Sequence, residues 1–552
     1  MTVVSSTERI TRKGRRGGCV LARRRTIAAA GFNRWLVPPA ALCIQLCIGM
    51  SYGLSVFWLP LSRAIGIDKP VACTSHSLLS DLFTTNCDWQ VTNLLTIFTT
   101  GLVMLGFSAA LFGGWLERAG PRKAGAATAC CWGGGFIIAA LGVHVHQFWI
   151  MWIGLGLIGG TGLGLGYIAP LSILVKWFPD RRGLTTGLAI MGFGGGAAIG
   201  APLANRLIDA FKTPTSIGVA ETFLVLGLIY FVVMLIGAFA LRIPPTGWQP
   251  PGASAPSDAM ISTGNVHFES AHETPQFWLL WIVLGMNVLA GIGVLALTLP
   301  MLQELLGGAL IGRPDVAFSA LDDAQRTRVA AIAAGYAGLL SLFNIAGRLF
   351  WATLSDRIGR KPTFSIMLTL GVLLCAAAPS IAHLRSALPF AGALGLILAL
   401  YGGSFATMPA YVADLFGPKF VGAIHGRLLT AWSTAGLAGP LLVGYLRNAQ
   451  LQAGVERAVV YDRTMYVLAG FLVVGLIANL LVRPLADKWH LAENAAARRR
   501  ARAVSGEGKL NQATFGIGRG GLAPKVAAFW VLVGIPLVWG LAMTLQTAVR
   551  MF

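Results

Sequence analysis

A short charged segment occurs twice in the 552-residue chain, and each copy follows a long apolar run. The first copy is GGWLERAGPRK at residues 113–123, and the second is ATLSDRIGRK at residues 352–361. Their acidic residues, Glu117 and Asp356, are 239 positions apart (356 − 117 = 239), and Pro170 and Pro409 repeat this offset. Such internal repetition is typical of a duplicated membrane domain.

The composition independently indicates a membrane protein. The chain is 55% hydrophobic and 12% charged, with a mean hydropathy of +0.69, so a soluble fold would have too few polar residues to cover its surface. Apolar runs of about 20 residues are long enough to cross a hydrocarbon core of about 30 Å. We predict twelve spans, at roughly 35–59, 90–113, 124–143, 148–175, 184–208, 219–241, 276–303, 329–353, 364–383, 387–413, 427–447 and 464–483, and a thirteenth at 525–547.

The predicted fold is therefore an all-α integral membrane protein with two six-helix halves and one extra C-terminal transmembrane helix. Proline-rich sequence separates the halves, and a polar stretch precedes the extra helix. The predicted domains are a basic cytoplasmic tail (1–33), the N-terminal half (34–241), a cytoplasmic linker (242–275), the C-terminal half (276–483), a polar connector (484–524) and the extra helix (525–547).

Lys and Arg concentrate in the N-terminal tail and in the loops that follow even-numbered spans. Because basic residues near span ends are retained in the cytoplasm, the N-terminus is predicted to be cytoplasmic and the C-terminus periplasmic. The net charge of +21 lies in tails and short loops without a soluble domain to organise it. This distribution favours contact with anionic lipid and excludes nucleic acid as a partner.

Other motifs do not indicate catalysis or a cofactor. The GxGxxG pattern at residues 154–159 lies inside an apolar run with no preceding strand, so we interpret it as a helix-packing motif. His144 and His146 flank a short outer loop without a third metal ligand, and we expect both to face solvent. We therefore expect no cofactor, no metal and no enzymatic site.

Two of the eight cysteines, Cys73 and Cys87, fall in the predicted outer loop between spans one and two. That side of the membrane tolerates disulfides, so a structural bridge between them is predicted. The alternative is two unpaired loop thiols.

With the repeated loops, twelve spans and central linker, residues 34–483 resemble the major facilitator superfamily. The first loop departs from the family pattern because Glu117 replaces the usual aspartate. The resemblance implies that loop charges bias which side of the transporter is open. We predict that Glu117 and Asp356 pair with Arg118 and Arg357 and act as gates; the alternative is that these charges only fix topology.

Within that superfamily the chain resembles the oxalate/formate antiporter family. The resemblance rests on RWLVPPA at 34–40, KWFPDRRG at 176–183 and GAIHGR at 422–427. It implies exchange of small carboxylates across a bacterial cytoplasmic membrane. A carrier for a different solute, a drug or a sugar, is the alternative.

Arg348 is the clearest charge inside a predicted span. It lies eight residues before Asp356, which places it about 12 Å above the loop at a rise of 1.5 Å per residue. A buried arginine is costly unless it meets an anion, and its planar fork matches a carboxylate. The repeat places Ala109 at the equivalent position, so this cation belongs to function rather than to the duplication. The alternative is that Arg348 snorkels to the surface and only anchors its helix.

Polar and aromatic residues in other spans complete the predicted substrate site. They share the cavity-facing spans implied by the resemblance, and aromatic walls with hydroxyl donors suit a small anion. The predicted substrate-binding residues are Arg348, Asn344, Gln45, Tyr52, Tyr167, Tyr401 and Trp432.

The charge count constrains the substrate. Only Arg348 is predicted to lie well inside a span, which favours a monocarboxylate, or a monoanion and a dianion exchanged for each other. No Asp or Glu is predicted deep in a span, so anion exchange, or a proton that travels with the substrate, fits better than a built-in proton relay. The transporter is expected to be a monomer in the lipid bilayer.

Overall fold

The computed structural model describes residues 20–29, 31–67, 71, 82–83, 85–245, 248–250, 260–262, 264–384, 386–457, 459–491 and 523–549. The main elements of this part of the chain are helices, joined by short turns and three isolated β-bridges. We number them α1 (Arg34–Leu61), α2 (Val91–Ala119), α3 (Pro121–His144), α4 (Phe148–Trp177), α5 (Arg182–Phe211), α6 (Val219–Ala240), α7 (Pro275–Leu310), α8 (Asp323–Ile358), α9 (Arg360–His383), α10 (Ala387–Phe416), α11 (Val421–Gln452), α12 (Asp462–Leu481) and α13 (Ala523–Val549).

The all-helical membrane fold is confirmed. Eleven of these helices are long and apolar enough to cross a membrane. The predicted eleventh span, α11, is 32 residues long but lacks an apolar stretch as long as those of the eleven, and it packs between α2 and α7. In α13 the apolar stretch is shorter, Pro524–Gly540.

Helix α8 begins before its predicted span because its first turn is capped. The Asp322 side chain accepts the Gln325 amide at 2.8 Å, and the Gln325 side chain accepts the Asp322 amide at 3.2 Å. This reciprocal capping box stabilises helix in polar sequence, which a prediction based on apolar length does not include.

The internal repeat has a direct structural counterpart in two turns. Gly120, between α2 and α3, has φ of 86°, and Gly359, between α8 and α9, has φ of 89°. Both values lie in the region that strongly favours glycine. The two glycines are separated by the same 239 residues as Glu117 and Asp356, so the turns are equivalent parts of the duplication.

Two seams join the halves, one between α2 and α11 and the other between α5 and α8. Each seam has a glycine at its closest approach. A methyl group at Gly187 of α5 would lie 2.9 Å from the Ala352 Cβ, and one at Gly426 of α11 would overlap the Ala109 carbonyl. Gly187 and Gly426 are again 239 residues apart, so small residues bring the helices together in the same way at both seams.

We call the end of the bundle with the repeated loops and the loops at 178–181 and 417–420 the basic end. Two segments that carry the family resemblance meet there: Arg34 pairs with Asp180 at 2.7 Å and stacks on Phe178 at 4.7 Å. The N-terminal strand-like segment also bonds to the start of the linker, since the Ala28 amide donates to the Ile243 carbonyl at 2.9 Å.

The outer loop after α1 is organised by Asp88, which accepts the amides of Ile65 and Val71 at 2.7 and 2.8 Å. Trp89 stacks on His146 with ring centroids 4.1 Å apart. His144 is exposed as predicted, but the prediction that His146 faces solvent is wrong, and burial lowers the pKa of His146.

The predicted bridge in the same loop involves Cys87 and Cys73. Cys87 is disulfide-bonded. Cys73 lies outside the described residues, so the pairing between the two stays a prediction.

The extra helix α13 packs on α1, α5 and α8. Gly540 makes a close contact, because a methyl group there would lie 2.7 Å from the Ala198 carbonyl oxygen. An added methyl at Gly534 would have no neighbour within 4 Å. Pro536 lies within the helix, which continues to Val549.

The direction of α13 predicts where the C-terminus lies. Val533 packs with Leu42 in the first half of α1, whereas Trp539 lies 5.2 Å from Arg206 near the far end of α5. The chain therefore leaves α13 at the end opposite the basic end.

Alkaline phosphatase and fluorescent-protein fusions after Phe552, compared with insertions of the same reporters in the linker, should place the two sites on opposite sides of the membrane. Reporters on one side would contradict this topology.

Candidate functional site

Arg348 lies inside the bundle, where 1% of the residue is exposed. Its Nε donates to Asn344 Oδ1 at 3.1 Å, and its Nη1 donates to the Ile190 carbonyl at 2.8 Å. The side chain thus reaches from α8 across the seam to α5. It does not snorkel to the surface, and none of the ion pairs in the described part of the chain involves it.

Glycines on two helices make room for this side chain. A methyl group at Gly194 of α5 would lie 2.8 Å from Arg348 Cζ, and one at Gly402 of α10 would lie 3.1 Å from Arg348 Cγ. The guanidinium therefore rests against bare backbone of the opposite half, which fixes its height in the bundle.

Aromatic rings surround Arg348. Its Cζ lies 5.7 Å from the Phe193 ring centroid and 5.8 Å from that of Phe405. Such distances allow an attractive cation–π interaction, which partly offsets the loss of hydration. With their neighbours these residues form what we call the cage: Arg348, Tyr52, Tyr167, Phe193, Tyr401, Phe405 and Trp432.

The rings of the cage contact one another across both halves of the protein. Tyr167 of α4 lies 5.1 Å from Phe405 of α10, and Tyr52 of α1 lies 5.1 Å from Phe193 of α5. Phe405 also stacks on Trp432 of α11 at 5.9 Å. Five of the seven predicted substrate-binding residues therefore meet in one place.

Four aromatic residues of the cage have polar atoms without hydrogen-bond partners in the described structure. The hydroxyls of Tyr52, Tyr167 and Tyr401 and the indole nitrogen of Trp432 are buried, and none makes a hydrogen bond within the described structure. Tyr401 does lie near Tyr52 and Trp432, but these neighbours do not reach bonding geometry. Because an unsatisfied buried polar group costs about 1–3 kcal/mol, several of them around one cation make the cage a candidate binding site.

The other two predicted site residues have supporting positions. Both polar atoms of Asn344 are used, since its Oδ1 accepts from Arg348 and its Nδ2 donates to the Leu398 carbonyl at 3.0 Å. Gln45 donates to the Tyr167 carbonyl at 3.1 Å, and its Oε1 has no partner among the described residues. Asn344 orients the arginine, and Gln45 fixes the backbone beside Tyr167.

Three residues of this region, Phe193, Phe405 and His425, are not among the predicted substrate-binding residues. Phe193 forms a wall of the cage and stands at the repeat position of Trp432 (432 − 193 = 239), so the offset itself was the available signal. His425 is 1% exposed, lies 5.8 Å from Tyr167 and has no partner for either ring nitrogen in the described structure. Nothing in the sequence around His425 distinguishes it from a residue that only anchors the end of its helix.

The cage has a positive and otherwise neutral lining. The buried carboxylates of the described chain are Asp88, Glu117 and Asp414, which lie in the outer loop or at the basic end. Arg348 therefore has no acidic partner in the cage, and the site is suited to an anion.

The basic end is closed at the α5–α8 seam by Asp356. Its Oδ1 and Oδ2 accept the backbone amides of Gly183 and Leu184, both at 2.8 Å, at the start of α5. A carboxylate at a helix N-terminus satisfies free amides and interacts favourably with the helix dipole. Because Asp356 belongs to α8, this contact ties the two halves together.

A second carboxylate, Asp414 at the end of α10, reinforces the same closure. It pairs with Arg182 of the opposite half through Oδ1 and with Arg360 through Oδ2 at 2.9 Å. Arg360 in turn pairs with Asp356 at 2.7 Å. Asp414 and Arg182 were not predicted, because their pairing depends on the close approach of two loops 232 residues apart.

The α2–α11 seam has the equivalent closure built on Glu117. Its Oε1 accepts the amide of Gly422 at the start of α11 at 3.1 Å, and Gly422 is 239 residues after Gly183. Lys176 and Ser172 hold Glu117 from within its own half, at 2.6 and 2.7 Å. This closure has one bond across the seam, fewer than the closure at Asp356.

The partners predicted for these carboxylates are wrong. Glu117 pairs with Lys176 and Asp356 with Arg360, whereas Arg118 and Arg357 are exposed. Consecutive residues on a helix point about 100° apart, so a carboxylate that faces the seam turns its neighbour outward.

A cavity of about 350 Å³ lies against the Glu117 closure at the basic end. Its lining includes Lys176, Lys419 and Arg23, together with Glu117. The cage does not line this cavity, so we interpret it as a basic mouth outside the closed seam.

The chain is similar to known carriers. It is 24% identical over 413 residues to the oxalate:formate antiporter of Oxalobacter formigenes, which covers 74% of this chain and 83% of the relative. It is 27% identical over 342 residues to apicoplast pyruvate carrier 1 of Toxoplasma gondii, covering 53% and 59% of the two chains. Its fold matches the crystal structure of the transporter FucP in the outward conformation with a TM-score of 0.55 and 14% identity, over 81% of this chain and 99% of FucP.

The family profile described as Major Facilitator Superfamily matches residues 41–321 and 316–551, which together include nearly the whole chain. The two repeated halves, the equivalent closures and the helical membrane fold agree with this match. The chain is a multi-pass membrane transporter that belongs to the major facilitator superfamily.

Proposed function

We propose that this transporter carries small organic carboxylates of the oxalate, formate or monocarboxylate type, and that it does so by anion exchange with alternating access. The observation that carries the proposal is the cage, in which a buried arginine without an acidic partner is surrounded by unpartnered hydroxyl and indole donors. An anion with two acceptor oxygens satisfies these groups together.

The chemistry of Arg348 favours a carboxylate over a neutral solute. A buried guanidinium loses several kcal/mol of hydration, and a bidentate carboxylate returns part of it through two parallel charge-assisted hydrogen bonds. The three tyrosine hydroxyls and the Trp432 indole can donate to the outer faces of the same oxygens. A sugar satisfies the hydroxyls but leaves the charge unpaired.

The relatives support the same class of substrate. The two carriers described above are named for oxalate, formate and pyruvate, all small carboxylates. The alternative is a carrier for a sugar or a drug. Its support is the fold that the chain shares with FucP, and a shared fold alone does not determine which solute is carried.

A single cation in the cage sets the expected substrate charge. Arg348 neutralises one carboxylate, so a monoanion, or a monoanion exchanged for a dianion, fits better than a dianion alone. With no carboxylate in the cage to relay protons, exchange of one anion for another is the simplest cycle.

Arg348 also offers a way to couple binding to movement. Its bond to the Ile190 carbonyl joins the C-terminal half to the N-terminal half at the level of the cage. An arriving carboxylate competes for the same guanidinium and loosens this bond, while the closures at Glu117 and Asp356 hold the basic end shut. Opening then requires both closures to release their helix N-termini.

We further propose that the protein is a monomer in the bacterial cytoplasmic membrane, with its basic end and N-terminus in the cytoplasm. The concentration of Arg and Lys around the closures supports this orientation.

Counterflow tests the proposal as a whole. Proteoliposomes preloaded with unlabelled oxalate, formate or lactate should take up the labelled anion, and external fucose or xylose should not compete. Uptake that requires a sugar or a drug, with no exchange of any carboxylate, would replace this proposal with the alternative.

Replacing the cage cation should separate its charge from its geometry. Arg348→Ala should lower the exchange efficiency by about 30-fold or more, since removing a buried charged partner costs about 2–5 kcal/mol. Arg348→Lys keeps the charge but loses the planar guanidinium fork, and it should lower the exchange efficiency about tenfold. Arg328→Ala removes an exposed arginine from the same helix and should have no effect. Unchanged exchange in Arg348→Ala at normal expression would remove Arg348 from the binding site.

Neutralising the closure carboxylates should favour opening at the basic end by about 1–3 kcal/mol, the usual range for such coupling. Asp356→Asn should have the larger effect than Glu117→Gln, because Asp356 accepts two amides across its seam and Glu117 accepts one. The measurement is maleimide labelling of a cysteine introduced at Ala423, buried beside Gly113, in a background without other reactive cysteines.

The exposed neighbours provide the matched controls for that experiment. Arg118→Gln and Arg357→Gln should leave the labelling rate at the wild-type value, because neither arginine pairs with a closure carboxylate. Equal labelling in all four variants would show that the loop charges fix topology and do not gate.

A further inference from the structure

We propose that α13 is a positioning element for Arg348: Leu537 and Gly540 hold the segment of α5 against which the guanidinium rests. This inference rests on the proposed role of Arg348 in anion binding. It assigns a role in substrate affinity to a helix that lies outside the duplication.

One turn of α5 connects the two features. Its Ile190 carbonyl accepts Arg348 Nη1 at 2.8 Å, and Gly194 lies directly under the guanidinium. A methyl group at the next residue, Gly195, would lie 2.9 Å from Leu537 Cδ1 of α13. Because adjacent residues point about 100° apart, α5 carries the arginine on one face and α13 on a neighbouring face at the same height.

The contact continues along α5 toward its C-terminal end. A methyl group at Gly540 would lie 2.7 Å from the Ala198 carbonyl oxygen and 2.8 Å from Ile199 Cγ1. Glycines on both helices, Gly195 and Gly540, thus allow their backbones to approach closely. Beyond this point Trp539 lies 5.2 Å from Arg206, so α13 follows α5 to its far end.

The position of α13 matters because it also packs on α8, the helix that carries Arg348. It therefore contacts both halves at the α5–α8 seam. Within the described residues, the α2–α11 seam has neither a buried cation nor an extra helix, and Ala109 occupies the position equivalent to Arg348. The two departures from symmetry, the buried cation and the extra helix, lie at the same seam.

If α13 is displaced, α5 should move away from the guanidinium of Arg348. Arg348 then loses the Ile190 carbonyl and the fixed backbone of Gly194, so its fork is no longer held toward the cage. Loss of one hydrogen bond of about 0.5–1.5 kcal/mol corresponds to about a 3- to 10-fold loss of affinity. The rate at saturation depends on opening of the closures, and the contacts of Leu537 and Gly540 lie at residues 195–199 of α5, at least 11 positions (195 − 184 = 11) from the closure residues Gly183 and Leu184.

Two leucine substitutions on the same helix test this in the full-length protein. Gly540→Leu should push α13 away from Ala198 and raise the KM for carboxylate counterflow 3- to 10-fold, with the maximal rate within about twofold of wild type. Gly534→Leu is the matched control and should leave KM unchanged, because no neighbour lies within 4 Å of the added Cβ.

Two alanine substitutions test the same contact without adding volume, so they disturb folding less than the leucine substitutions. Leu537→Ala removes the contact with Gly195 without adding volume and should raise KM in the same direction, whereas Ile535→Ala, at a residue that is 65% exposed, should not.

A double-mutant cycle shows whether the effect passes through the arginine. In an Arg348→Lys background, Gly540→Leu should raise KM by less than twofold further, because the fork it positions is already gone. A full additional 3- to 10-fold increase, or equal KM values for Gly540→Leu and Gly534→Leu, would overturn the inference. If Arg348→Ala itself retains normal exchange, the proposed function fails instead, so the two failures are distinguishable.

Discussion

The structure depends on one costly interaction, the burial of the Arg348 guanidinium in the middle of a membrane bundle without an acidic partner. Two hydrogen bonds, to Asn344 and to the Ile190 carbonyl, and two aromatic faces compensate part of its lost hydration. Glycines in α5 and α10 are needed to admit it. We propose that an anion supplies the remaining compensation, because the hydroxyl and indole groups around Arg348 have no hydrogen-bond partner in the described structure.

The closures at the basic end follow a second physical rule, that a helix N-terminus attracts a carboxylate. Glu117 and Asp356 each cross a seam to the first amides of a helix in the opposite half. The duplication accounts for this pair of contacts, and the additional pairing of Asp414 with Arg182 makes one closure stronger than the other. The site and the closures therefore lie at different heights on the same two seams.

Much of this architecture could be predicted from the sequence, because apolar length, the 239-residue offset and the position of Arg348 are properties of the linear chain. Four aromatic residues, Tyr52, Tyr167, Tyr401 and Trp432, were predicted from their spans, and they meet around Arg348. Phe193 could have been found only by subtracting the repeat offset from Trp432. Pairing partners could not be predicted: Lys176, Arg360 and Asp414 are chosen by side-chain direction and loop approach. The half-buried position of His146 against Trp89 was missed for the same reason.

We propose that Arg348 binds a carboxylate, and a direct binding measurement on the purified protein tests this role without transport. Labelled formate, oxalate or lactate should bind in a scintillation proximity assay, be displaced by the other carboxylates and not by fucose, and fail to bind Arg348→Ala while still binding Arg328→Ala. Carboxylate binding that survives in Arg348→Ala, or that fucose displaces, would contradict the account.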